Sequence, residues 1–261
     1  MPKTSLEAST SPTVSEAPAV QRKVHLVLNS KGGIGKSFAS GLIAQFLRDR
    51  GEPLVCLDTD ALNATFRDLK ALNVEPIRVF GEDGDAVDIQ SIDGMVERFL
   101  TEDANFVVDS GASVFVPLSQ HLVNDAVVSA LEERGKKMVV HAIVAGGPEL
   151  LHCARGLDSM ARQYPAGVGM VLWLNEFHGS TSDNGEAFEQ TRVFKTHEQR
   201  ISGIIRLNRL HPTTYGANLA AMLARGMTFA EADQSPEFFT MTKQRLRQIQ
   251  RPLWEQLGAV L

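Results

Sequence analysis

Only two cysteines occur in 261 residues, Cys56 and Cys153, far apart and without CxxC or Cys/His spacing. That excludes a disulfide scaffold and a structural zinc site, and it fits a reducing compartment. An excess of positive charge is also missing. The 26 Lys and Arg against 31 Asp and Glu leave a net charge of −5, which excludes a broadly basic nucleic-acid coat. No apolar run approaches the roughly 18–20 residues that cross a bilayer, and the N-terminus lacks the basic-then-apolar order of a signal peptide. A cytoplasmic protein is expected. The seven histidines form no HExxH and no i, i+4 pair, and Gly-x-Ser-x-Gly does not occur. The metalloenzyme and serine-hydrolase readings lose their usual carriers.

What is present is an ordinary globular balance, 43% hydrophobic and 22% charged, in a chain long enough for one large domain. Residues 1–22 hold Ser, Thr, Pro, Ala and Glu with few large apolar side chains. A disordered tail is expected there, followed by a domain over 23–261. From Val24 onward short aliphatic runs alternate with helical stretches. The runs lie at 24–29, 53–58, 77–80, 105–109, 137–145, 169–175 and 201–207. Several are apolar on both faces, as parallel strands covered by helices must be. Helices are expected at 37–51, stopped by Gly51, and at 118–135, stopped by Gly135. The fold class is α/β: a single doubly wound, mostly parallel sheet with helices on both faces.

The segment Asn29-Ser30-Lys31-Gly32-Gly33-Ile34-Gly35-Lys36-Ser37 follows the first strand and opens a helix. In that context glycines let backbone N–H groups turn inward around phosphate oxygens. The helix adds its positive N-terminus, a lysine reaches the β/γ-phosphates, and a hydroxyl can ligate Mg²⁺. Lys36 and Ser37 fill the last two roles, while Ser30 stands where the common motif has its first Gly. Asp58 and Asp60 end the second run and Asp109 ends the fourth. Acids at the carboxyl ends of parallel strands face the ligand crevice, although Asx residues also begin ordinary loops. Asn175 ends another run; its amide suits an adenine edge or a loop cap.

These motifs resemble those of the ParA/MinD group of P-loop ATPases: KGGIGKS is similar to the deviant Walker A motif, and DTD with Asn63-Ala64-Thr65 to the acidic segment after the second strand. The resemblance implies a dimer closed around two ATP·Mg²⁺. In it Lys31 would act on the partner's nucleotide, and Gly32, Gly33, Ile34, Gly35, Lys36, Ser37 and Phe38 would cradle phosphate. Asp60 would stand near the attacking water. Ser37, Asp58 and Asp109 would serve the metal, Ser110 and Gly111 would open a γ-phosphate-sensing loop, and Asn175 would contact the base, with the 207–216 loop on its other side. Ala61 departs from the group, where Pro is common. No cysteines stand after Asp109 as an iron–sulfur relative would need, and no Tyr-rich tail marks a tyrosine kinase. Within the group the whole pattern is most similar to an accessory family of plasmid conjugal transfer. That implies a relaxosome or secretion-channel partner. A nucleotide-binding scaffold with little hydrolysis and a P-loop ligase or synthase are the rival readings.

The run 238–261 carries Lys243, Arg245, Arg247 and Arg251 against Glu255, with apolar residues at 246, 249, 253 and 257. Such a stripe could meet non-specific DNA or the inner membrane peripherally, but the net charge gives no support for either. A helix packed on its own sheet is expected, and Pro252 is expected to break or kink a surface-lying one.

Overall fold

The computed structural model describes residues 21–60, 63–81, 86–124, 126–183 and 185–261. Residues 1–20 of the expected tail, and Ala61, lie outside them. Seven of the described strands form one parallel sheet: β1 (Lys23–Leu28), β2 (Leu54–Asp58), β3 (Glu75–Pro76), β4 (Asn105–Asp109), β5 (Lys137–Ala145), β6 (Gly169–Asn175) and, after a small hairpin of β7 (Ser182–Asp183) and β8 (Glu186–Ala187), β9 (Ile201–Leu207). Their order is β3-β2-β4-β1-β5-β6-β9. All five residues of β4 and five of the six in β1 are buried, which is why these runs show no apolar–polar alternation.

The helices are α1 (Lys36–Asp49), α2 (Ile89–Thr101), α3 (Phe115–Asn124), α4 (Val127–Glu133), α5 (Leu150–Gln163), α6 (Arg192–His197), α7 (Ala217–Leu223), α8 (Phe229–Gln234) and α9 (Thr240–Val260). The connection from β1 runs toward β2, whereas those from β3, β4, β5 and β6 run the other way across the sheet. Right-handed crossovers in opposite directions put their helices on opposite faces. α1, joined by α7, α8 and α9, therefore covers one face, and α2 to α6 the other. The direction reverses at β1, so a crevice opens there at the carboxyl ends of the strands.

Two expectations change. The strand expected at 77–80 is instead the two-residue β3, paired with Leu57 and Asp58. Ile77 N still donates to Asp58 O at 2.8 Å, but β2 ends at Asp58, and Phe80 bridges Val87 instead. Val79 is apolar because it is buried in the core. The helix expected at 118–135 is two helices, broken at Ala126 with φ 54°. An unbroken helix would continue the Leu118, Leu122 stripe at Asp125 and Ser129; the break rephases it to Val127, Val128 and Leu131, which are buried. The helix expected to pack on its own sheet is present as α9, and it continues past Pro252 to Val260. Pro252 and Gln248 both face solvent, so the carbonyl that loses its N–H partner is not sealed in the core.

Leu246, Ile249, Leu253 and Leu257 are all buried, so the apolar stripe of α9 is spent on the protein's own sheet. Two of its four cations are paired with acids as well. Arg247 pairs with Asp233 at 2.7 Å and Arg251 with Glu255 at 3.1 Å. Among the described residues no helix is long and apolar enough to cross a membrane.

One polar chain crosses the core. The Trp173 indole N–H donates to His141 Nδ1 at 3.0 Å, and His141 Nε2 lies 3.0 Å from His25 Nδ1. Since His141 Nδ1 accepts, its Nε2 carries the proton and donates to His25. The proton of neutral His25 is then on Nε2, which is buried without a partner among the described residues.

Candidate nucleotide site

The loop Asn29–Gly35 joins β1 to α1 through two left-handed residues, Gly33 at φ 72° and Gly35 at φ 96°. A Cβ on Gly35 would also stand 2.8 Å from Asn175 Nδ2. Around Gly32 a side chain would meet nothing within 4 Å, so the backbone there is open to a ligand. The loop is held from several sides. Asn29 Oδ1 accepts from Lys31 N at 3.0 Å while its Nδ2 donates to Ile143 O at 2.8 Å. Asn175 Nδ2 donates to Ile34 O at 2.9 Å, and its Oδ1 accepts from Phe177 N at 3.1 Å. The structure thus gives Asn175 a loop-holding role within the protein itself. Ile34 is buried, and Phe38 is half-buried against the core.

The two lysines of the loop part company. Lys36 is buried, with Nζ donating to Lys31 O at 2.7 Å. Burial lowers its pKa, and the charges of Asp109 and Asp60 oppose the shift. Lys31 points outward, its Nζ 3.3 Å from Glu149 Oε2. Together with Gly32, Gly33, Ile34, Pro148, Glu149 and His178 it lines a cavity of about 410 Å³. A larger groove of about 600 Å³ lies between Asp49 and Trp254, away from these residues.

Three acids meet at the strand ends. Asp58 and Asp109 are register neighbours on β2 and β4, so both side chains lie on one face of the sheet. Asp109 is 1% exposed. Ser40 donates to its Oδ1 at 3.0 Å and Ser37 also hydrogen-bonds to it. Burial pushes the Asp109 carboxyl up to about 7, the Asp58 charge adds to that, and Ser37, Ser40 and Lys36 hold it down. Asp58 is also raised by burial, against the Asp60 amide and Arg67. Asp60 accepts from Asn63 N and Nδ2, each at 3.1 Å, and lies against Gly111, where a Cβ would approach Asp60 Cγ to 3.2 Å.

Lys36, Ser37, Asp58, Asp60 and Asp109 therefore share one edge, and Lys31 and Asn175 flank the loop. Among the described residues no group of three or more His, Cys, Asp or Glu forms a metal cage. The hydroxyl and carboxylate oxygens here still fit Mg²⁺, which keeps several waters and relies on one or two carboxylates plus substrate phosphates. Ser40, Arg67, Glu149 and His178 went unread in the sequence. Ser40 alone had a signal, one helical turn after Lys36.

The loops after β5 and β6 are clasped backbone to backbone. Gly147 N donates to Ser180 O at 3.0 Å, and a Cβ on Gly146 would lie 2.2 Å from Gly179 O. Gly146→Ala must push these loops apart, an overpacking that costs about 2–3 kcal/mol. Urea unfolding should show that loss, and a midpoint equal to wild type would contradict the close approach.

The parallel sheet with its reversal at β1, and the glycine loop between β1 and α1, define a P-loop NTPase fold. MinD in the MinC:MinD cell division protein complex of Aquifex aeolicus has the same fold, with a TM-score of 0.50 at 16% identity over 89% of this chain and 96% of its own. No family model matches the chain. Protein TraL of Escherichia coli is 39% identical over 237 residues, 91% of this chain and 98% of its own. A second TraL from Escherichia coli is 38% identical over 235 residues, 90% and 97% of the two chains. The chain belongs to the TraL family.

Proposed function

We propose that this chain is an ATP-dependent molecular switch of the ParA/MinD type, working as an accessory protein in plasmid conjugal transfer. The observation that carries the reading is the meeting of a phosphate-type loop with two buried carboxylates and a third beside them, at the point where the sheet reverses. The loop N–H groups and Lys36 would hold the β- and γ-phosphates. Asp60, kept against Gly111 by Asn63, would orient the attacking water. Ser37 and Asp109, with Asp58 alongside, would hold Mg²⁺, which when bound neutralises charge on the transferring phosphoryl group. Asn175 would fix the loop from beneath and reach the base with what its amide has left.

Lys31 is the residue for the second copy. Its side chain is 40% exposed and, among the described residues, is tied only to Glu149, itself partly exposed. Such a pair is worth at most about 1 kcal/mol, so a partner's nucleotide can draw the lysine away. Two copies would close face to face around two ATPs, and hydrolysis would reopen them. The ATP-closed form would present the surface that a relaxosome or secretion-channel protein reads. The reading places the protein in the cytoplasm or at the inner face of the membrane.

Light scattering with a slowly hydrolysed ATP analogue and Mg²⁺ tests this. The wild type should double in mass with the analogue and stay monomeric with ADP. Lys31→Ala should bind the analogue and remain monomeric. A wild type that binds the analogue without dimerising leaves only a scaffold. Turnover that appears only with an added metabolite would favour a ligase or synthase.

A further inference from the structure

Arg67 is placed unlike any other cation of the site. Its Nε donates to Asp58 Oδ2 at 2.8 Å, and its Nη2 donates to the main-chain oxygens of Asp60 at 3.1 Å and Asn63 at 3.4 Å. The other carboxylate oxygen of Asp58 accepts from Asp60 N at 2.8 Å. The Asp58 side chain is fully buried, whereas that of Arg67 is 29% exposed. The base from which Arg67 reaches is fixed. Phe66 is 0% and Leu69 5% exposed. Asp68 O lies where a Cβ on Gly226 would come within 2.3 Å. The guanidinium therefore joins an anchored stretch of chain to both ends of the acidic turn.

Charge makes the same case. Asp58 and Asp109 sit side by side in the sheet, and two neighbouring buried carboxylates need compensating cations. Lys36 faces Asp109 and Asp60, which leaves Asp58 to Arg67. A planar fork can hold a carboxylate and a carbonyl together, whereas an ammonium on a flexible stem is a point charge.

We propose that Arg67 is a positioning residue of the nucleotide site, whose guanidinium clamps Asp58 and the Asp60 main chain and so fixes the Asp60 carboxylate against Gly111. The assignment rests on the nucleotide reading above. Arg67 acts through the two aspartates.

The full chain and its Arg67→Gln and Arg67→Lys variants test the proposal. Without nucleotide, the Asp60 and Asn63 amides should exchange roughly tenfold faster in Arg67→Gln, while β1 and β4 amides keep their protection. Affinity for a slowly hydrolysed ATP analogue in EDTA should be unchanged. The Mg²⁺ concentration that half-tightens the analogue should rise about tenfold, as for other residues that orient metal-binding groups. Turnover should fall about 100-fold with KM little changed. Arg67→Lys should restore the Mg²⁺ response but not turnover. Wild-type exchange at Asp60 and Asn63 in Arg67→Gln overturns the clamp, as does a Lys variant with wild-type turnover. If the wild type binds no analogue, the nucleotide reading falls, and the exchange experiment still decides whether Arg67 holds the turn.

Discussion

Asp109→Asn should stabilise the nucleotide-free protein by about 2–4 kcal/mol at pH 8 while removing its Mg²⁺-dependent tightening on nucleotide. The carboxyl is 1% exposed and pushed up to about 7, against an unfolded value near 3.9. Between those two values the folded state binds more protons than the unfolded one, so stability falls as pH rises through the window. Above pH 7 the full cost of a buried charge is present. Asn keeps an oxygen for Ser37 and Ser40 and carries no charge, so the gain appears above pH 7 and vanishes near pH 4. Urea unfolding of both proteins at pH 8 and pH 4 measures it. Asn that is neutral or destabilising at pH 8 would mean that Lys36, Arg67 and the serines already offset the charge. A binding group held at the expense of stability is what a ligand site should contain.

Much of the site could be read because its chemistry is local in sequence. KGGIGKS spans seven residues, its glycines are needed at the left-handed positions of Gly33 and Gly35, and its flanks are a strand and a helix. Asp58 and Asp109 could be anticipated because each ends an apolar run, and parallel strands all deliver their ends to one edge. Arg67 and Glu149 were invisible for the opposite reason. A lone basic or acidic residue after a loop has no period, and what gives it meaning is a partner set by folding. Lys31 meets Glu149, and Gly33 meets His178, only through loops brought together by the β5–β6 pairing. The same limit explains the fold's surprises. Val79 and Phe80 are as apolar as a strand but reach the core without joining the seven-stranded sheet. Ala126 has no glycine's freedom, yet it breaks a helix because the apolar phase on either side requires it.

Removing the buried histidine pair should reverse the sign of the protein's pH dependence between pH 7 and pH 5. Burial lowers His25 to about 3 and drives His141 well below its ordinary value. Their unfolded forms titrate near 6.5, so below that pH the unfolded state binds more protons and stability falls as pH falls. At pH 5 the loss is at most about 2 kcal/mol per histidine relative to pH 7. Asp109 opposes it, since over the same interval its buried carboxyl takes up a proton in the folded state and regains about 2 kcal/mol. Wild type should therefore lose roughly 2 kcal/mol net on going from pH 7 to pH 5, and Asp109→Asn roughly 4. In His25→Leu/His141→Leu the Asp109 contribution stands uncovered, and stability should rise on acidification. The Trp173 N–H loses its acceptor in that variant, an offset of about 1–3 kcal/mol at every pH, so only the slope is informative. Urea unfolding at half-unit steps from pH 7 to pH 5 measures that slope, and a double variant that still weakens with acid would locate the acid sensitivity away from the histidine pair.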